Sequence, residues 1–311
     1  MAVIKDHDLS DIEDEEDNLD EEPGEVIESA PPLMVGEERE INTSLGLKKK
    51  LLKQGHGFET PQFGDEVTVH YVSTQMDGSK LDSTRDKEKP YSFKLGDGQV
   101  MYGLDYGIVT MSKGEVALFT LPSGTVGANN VSPDSNIQFE VELLSWIAVV
   151  DICKDGGIIK KILSRGETNE QPGDLDEVTV KYQVMLDDGT VVAKTPEEGV
   201  EFYVKDGHFC PALPKVLKTM KRGEQVKLII QPQYAFGEHG LTAENGFSTI
   251  PASSVLNMDL ELVSFKPVID VTGDTKVLKK ILKEGEGSLV AEEGSTVASK
   301  YLVWILDHFF N

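Results

Sequence analysis

EVTVHYVSTQMDGSKLDSTRDKEKPYSFKLGDGQVMYGLDYGIVTM, residues 66–111, is the stretch whose reading decides the fold. It opens with strict alternation: Val67, Val69 and Tyr71 fall on one face and Thr68, His70 and Val72 on the other, the period-2 pattern of a half-buried strand. Asp77-Gly78 supplies hairpin turn chemistry, and a short returning strand carries Leu81 and Asp82. After a charged loop, Tyr91, Phe93 and Leu95 alternate again and end at a glycine turn. From Val100 the period changes, because Val100, Leu104, Ile108 and Met111 recur at helical spacing. The expected fold is α+β, a twisted antiparallel sheet wrapped around one short helix, on which Tyr71, Asp82, Tyr91, Phe93, Val100 and Met101 converge.

The rest of the chain repeats this unit. LKKKLLKQGHG at 47–57 returns as IIKKILSRGET at 158–168 and as VLKKILKEGEG at 277–287. Tyr71, Tyr182 and Tyr301 share the two spacings, and TMSKGE answers TMKRGE as FEVELLSW answers MDLELVSF. A period this long means tandem domains rather than a solenoid. The expected organisation is an acidic disordered tail over 1–43, a first domain over 44–147, a linker over 148–156, a second domain over 157–266, a linker over 267–275 and a truncated third domain over 276–311. Two strands cannot bury a core alone, so the third copy is expected to be poorly ordered or docked by an apolar edge.

Composition narrows the function classes. With 54 acidic against 30 basic residues the net charge is −24 over 311 residues. Residues 1–43 alone hold 16 acids against Lys5 and Arg39. Such a surface repels phosphate backbones and anionic bilayers, so neither nucleic acid nor membrane is an expected partner. Cys153 and Cys210 are too few and too far apart for a secreted disulfide framework, and the amino terminus lacks a signal peptide's apolar segment. The expected location is cytoplasmic, with the nucleus as a second possibility.

VHY, then LDSTRD, then KPYSFKLGDGQV, then TMSKGE together resemble the tacrolimus-binding immunophilins, the FKBP family of peptidyl-prolyl cis/trans isomerases. The resemblance implies tandem half-barrels and a cofactor-free, metal-free activity on X-Pro bonds. It assigns Tyr71, Asp82 and Met101 to catalysis and Tyr91, Phe93, Val100, Leu104 and Phe139 to the substrate pocket. Asp82 would hydrogen-bond Tyr71 and order the rim. Read from the residues alone, Asp82 is also a candidate turn cap beside Ser83 and Thr84. The implied partners are proline-containing polypeptides and, weakly, tacrolimus or rapamycin. Plant multi-domain members look similar in their acidic start and repeats. Their chaperone-docking helical repeats are not expected in this chain.

The departures from the family pattern count against high activity. Leu104 stands where the family has an indole, and Leu81 where it has phenylalanine. The flap LPSGTVGANNVSPDSNIQF lacks the family's tyrosine. In the second copy Val192-Ala193 replaces Leu81-Asp82 and Val200 replaces Tyr91, while Tyr182, Phe202 and Phe236 remain as weak equivalents. Weak activity centred on the first copy is therefore expected. The rival reading is a non-catalytic module that holds proline segments or acts as a chaperone. His208 with Cys210 is a possible metal pair, less expected than a core thiol beside a loop histidine.

Overall fold

In the computed structural model, residues 31–100, 102–122, 136–243, 247–283 and 290–300 are described. Apolar alternation becomes sheet in the first two copies. Strands β1 (Glu38–Asn42), β2 (Leu47–Lys53), β3 (Glu66–Gln75), β4 (Lys80–Ser83), β5 (Tyr91–Lys94), β6 (Val116–Pro122) and β7 (Asn136–Asp151), with helix α1 (Tyr102–Ile108), build the first copy. β8 (Ile158–Ser164), β9 (Glu177–Met185), β10 (Val191–Lys194), β11 (Val200–Tyr203), β12 (Gln225–Ile230) and β13 (Leu256–Lys266), with helix α2 (Leu213–Leu217), build the second. β14 (Val268–Asp270) and β15 (Leu278–Lys280) follow.

In each copy the long strand before the hairpin turn is the spine. β3 pairs antiparallel with β4, β5 and β7, and β9 pairs with β10, β11 and β13. The buried faces close on one helix, giving two separate cores. One centres on Val67, Phe119, Ile137 and Val141, the other on Val178, Val180, Leu228 and Leu262. Helix α1 lies close on β6 because it carries glycines at the contact. A Cβ at Gly103 would stand 2.0 Å from Leu121 Cδ2, and one at Gly107 2.8 Å from Phe119 Cε1. The helix begins at Tyr102, two residues after the expected start at Val100.

A buried ion pair recurs at one place in both copies. Lys49 Nζ lies 2.7 Å from Glu115 Oε1 and also donates to the carbonyl and hydroxyl of Thr110; Lys160 Nζ lies 3.1 Å from Glu224 Oε1 and donates to the same two groups of Thr219. The repeated TMSKGE and TMKRGE segments are thus the acceptor half of a clamp between β2 or β8 and the end of the helix.

Three expected boundaries are corrected. Glu38–Asn42, assigned to the disordered tail, is strand β1, with Glu38 opposite Lys50 and Glu40 opposite Lys48. Opposed charges on facing strands favour that pairing. The stretch 148–156 is not a loose linker, because β7 continues through Asp151 and pairs with β8 from Ala148 onward. Likewise 267–275 contains β14, which pairs with β15. Residues 290–300 carry no strand and are exposed. The remainder of the third copy from 301 lies outside the described residues, as do residues 1–30 of the acidic tail.

Candidate active site

Strand pairing brings the first copy's candidate residues together. The period of two that buries Val67 and Val69 sends Tyr71 toward the same side, and β5 sets Tyr91 opposite Val69 and Phe93 opposite Val67. From β7, Phe139 pairs with Ser73, next but one to Tyr71. The ring of Tyr71 lies 6.3 Å from Tyr91 and 6.4 Å from Phe139, and Tyr91 stacks on Phe93 at 5.3 Å. Val100, like Tyr71, packs at the margin of this core, and Leu104 is buried within it. Tyr91 remains 37% exposed, so the ring cluster reaches solvent on that side. Met101 lies outside the described residues.

The polar edge of the recess is Asp82. Tyr71 Oη donates to Asp82 Oδ2 at 2.7 Å. The other oxygen accepts from Lys87 Nζ at 2.7 Å and from the Ser83 amide at 2.8 Å. Asp82 is therefore a turn cap and a tyrosine partner at once. The Lys87 ammonium, and after it the Tyr71 hydroxyl, hold its carboxyl below the usual range, so it is an anion at neutral pH. Burial and the Asp82 hydrogen bond push Tyr71 up to about 12, which keeps its hydroxyl a donor. On α1, burial raises Asp105 to about 6; the Gly96 amide, in the turn after β5, acts in the opposite sense.

The second copy is built differently at the same place. Ala193 leaves Tyr182 without a carboxylate, and its hydroxyl instead meets His208 Nδ1 at 2.9 Å. The His208 ring stacks on Phe202 at 5.2 Å. Phe209 stands where the first copy has Val100, 109 residues earlier, and has a left-handed φ of 53°. Its ring stacks on Tyr182 at 5.9 Å and meets Phe236 at 5.5 Å and Phe247 at 4.7 Å. Phe209 thus joins the ring cluster of the second copy and, with His208 and Phe236, lines a groove of about 320 Å³. Tyr234, two residues before Phe236, packs against the second core and donates to Asp155 Oδ2 at 2.7 Å.

His208 and Cys210 each have other partners. The histidine serves Tyr182, and the buried Cys210 thiol, pushed up to about 11 by burial, lies 3.9 Å from the Tyr234 carbonyl. Among the described residues no cluster of three metal-ligating side chains exists. Sequence reading missed Phe209, Phe247 and Lys87. The signal for Phe209 was present in GHFC set against GQVM, an aromatic in an aliphatic position. The first copy's flap over 123–135 lies outside the described residues.

Two half-barrels in tandem, each wrapped on a short helix and each carrying an aromatic recess at one end, define the class: a multi-domain immunophilin-type protein. The sequence profile of FKBP-type peptidyl-prolyl cis-trans isomerases matches residues 57–144 and 168–263, together more than half the chain. The chain belongs to that family. It is 31% identical over 281 residues to human peptidyl-prolyl cis-trans isomerase FKBP4, covering 86% of this chain and 59% of the relative. It is 29% identical over 254 residues to Arabidopsis thaliana PASTICCINO1, covering 78% of this chain and 39% of the relative. The chain therefore spans about three fifths, or less, of the length of these curated relatives. The crystal structure of the three FKBP domains of wheat FKBP73 superposes with a TM-score of 0.61 at 31% identity, over 70% of this chain and 94% of that one.

Proposed function

We propose that the chain is a peptidyl-prolyl cis/trans isomerase of modest activity, centred on the first copy and acting on X-Pro bonds of polypeptides without a cofactor. The observation that carries the reading is the contrast between the copies. Tyr71, Tyr91, Phe93 and Phe139 form a ring cluster edged by ionised Asp82, whereas in the second copy Phe209 stands among the rings and Tyr182 meets His208 instead of a carboxylate. Rotation about an amide costs about 18–20 kcal/mol because the C–N bond has double-bond character. A twisted imide has lost that resonance, so an apolar, ring-lined wall favours it over the planar form, which is the differential binding that lowers a barrier. The role of Tyr71 and Asp82 is to fix the rim on which the prolyl ring seats. Tyr91, Phe93, Val100, Leu104 and Phe139 supply the wall and floor, and Met101 belongs to the same set. Tyr182, Phe202 and Phe236 line a recess closed to substrate.

The natural substrates are proline-containing polypeptides, with tacrolimus or rapamycin binding weakly because Leu104 supplies less surface than an indole. Among the described residues no helix is long and apolar enough to cross a membrane. Cytoplasmic or nuclear residence is part of this proposal.

The test is Asp82→Ala in an isomerase assay on proline peptides. Of the three hydrogen bonds that the substitution removes, the one from Tyr71 bears on the site; at about 0.5–1.5 kcal/mol its loss predicts a fall in kcat/KM of roughly 2- to 10-fold. Asp82 is half exposed, so the melting midpoint stays nearly unchanged. A large loss of stability would make Asp82 a structural cap instead. Retained peptide binding with no turnover in the unmodified chain would favour the non-catalytic proline-binding module.

A further inference from the structure

The junction after the first copy is built a second time after the second copy. At the first, Asp65 Oδ1 accepts the Val149 amide at 3.0 Å, Val149 pairs with Lys161, and Asp151 pairs with Ile159. At the second, Asp176 Oδ1 accepts the Val268 amide at 2.8 Å, Val268 pairs with Lys280, and Asp270 pairs with Leu278. Every connector residue is displaced by 119 positions and every seat residue by 111.

The turns between the paired strands match bond for bond. Asp151 accepts from the amides of Cys153, Lys154 and Gly156; Asp270 accepts from those of Thr272, Gly273 and Thr275. The left-handed positions coincide although the residues do not: Lys154 and Gly156 in one turn, Gly273 and Thr275 in the other, with φ between 59° and 75°. A non-glycine residue holds that conformation only where its surroundings impose it. Finally, a lysine of the following copy reaches back to the glutamate beside the seat aspartate. Lys161 Nζ lies 2.5 Å from Glu66 Oε1, and Lys280 Nζ lies 2.5 Å from Glu177 Oε2.

We propose that Asp176 and Glu177, at the start of β9, form a docking seat for the following stretch of this chain, residues 267–281, as Asp65 and Glu66 form the seat for the second copy. Successive copies are thereby strung by one repeated, register-fixed junction rather than by free linkers. The seat's carboxylates select a partner with a free backbone amide and a cation twelve residues later. Lys266 adds a second cation at 3.0 Å from Glu177 Oε2, so the second seat is the more strongly charged. Its glutamate is held below the usual carboxylate range by Lys280 first and Lys266 second.

Hydrogen–deuterium exchange on the full chain tests this. Glu177→Lys is expected to speed exchange over 267–281 roughly 5- to 10-fold while leaving 148–162 unchanged, and Glu66→Lys to do the reverse. Adding Lys280→Glu to the first variant, or Lys161→Glu to the second, is expected to restore protection. Unchanged exchange in the single variants, or no restoration in the doubles, would overturn the docking seat. Isomerase turnover is a separate readout: it stays at the unmodified level in Glu177→Lys, so failure of the seat and failure of the proposed activity remain distinguishable.

Discussion

Val100→Phe is expected to abolish most of the chain's turnover on proline peptides, with a fall in kcat/KM on the order of 50-fold. The second copy carries phenylalanine at this position, where a left-handed φ of 53° that Val100 does not share sets the ring on Tyr182; from its own backbone a phenyl group at Val100 is expected to crowd the corresponding ring cluster. A ring placed against Tyr71 displaces the prolyl group, whose three methylenes are worth about 0.8 kcal/mol each on burial. The sum, a little over 2 kcal/mol, converts to that factor. Val100 lies at the margin of the core, so the fold accommodates the change. The reciprocal variant, Phe209→Val, vacates the second recess without creating turnover, because Ala193 and Val200 still stand where Asp82 and Tyr91 act in the first. Steady-state kinetics of both variants beside the unmodified chain checks the pair; an undiminished rate in Val100→Phe would contradict it.

The largest stability effect is expected at Lys160. Its ammonium and the Glu224 carboxylate are each only 4% exposed, so neither has water to fall back on. Lys160→Met strands Glu224 as an unpaired buried charge, which costs about 3–5 kcal/mol. In a domain of this size that lowers the midpoint of the second copy by more than about 10 °C. Replacing both partners by apolar residues of similar volume, Lys160→Met with Glu224→Leu, is expected to recover most of the loss. Calorimetry of the full chain reads this as movement of one transition while the first copy's stays in place. A single-variant cost below about 1 kcal/mol, typical of an exposed pair, would show the clamp to be incidental.

These two sites show where sequence reading reached and where it stopped. Strand alternation at Val67, Val69 and Tyr71 was legible because one face of β3 is buried and the period of two is written directly in residue type. The Tyr71–Asp82 pair followed from the family resemblance, and the lone acid among apolar strand positions gave a physical reason to expect a partner. The clamp was visible only as a repeat: LKKKLL and TMSKGE recur, but nothing local to either says that one lysine turns inward to meet the glutamate 66 residues later. Strand β1 was hidden by its charges, since Glu38 and Glu40 read as tail until Lys48 and Lys50 are placed opposite them. The connectors were misread for a related reason: IAVVD is apolar enough to be strand, but its partner belongs to the next copy. Phe209 could be aligned with Val100, but where its ring points depends on a left-handed φ, which residue type alone does not specify.

The central claim is that the recess bounded by Tyr71 and Asp82 turns over prolyl bonds and that its counterpart does not. Exchange NMR on a proline peptide mixed with the full chain tests it without a coupling protease. The account predicts that cis/trans interconversion speeds up in proportion to chain concentration, with peptide-induced shifts at the amides of Tyr71, Asp82, Tyr91 and Phe93 and none at Tyr182, Phe202 or Phe209. Interconversion at the uncatalysed rate, or shifts confined to the second copy, would contradict it.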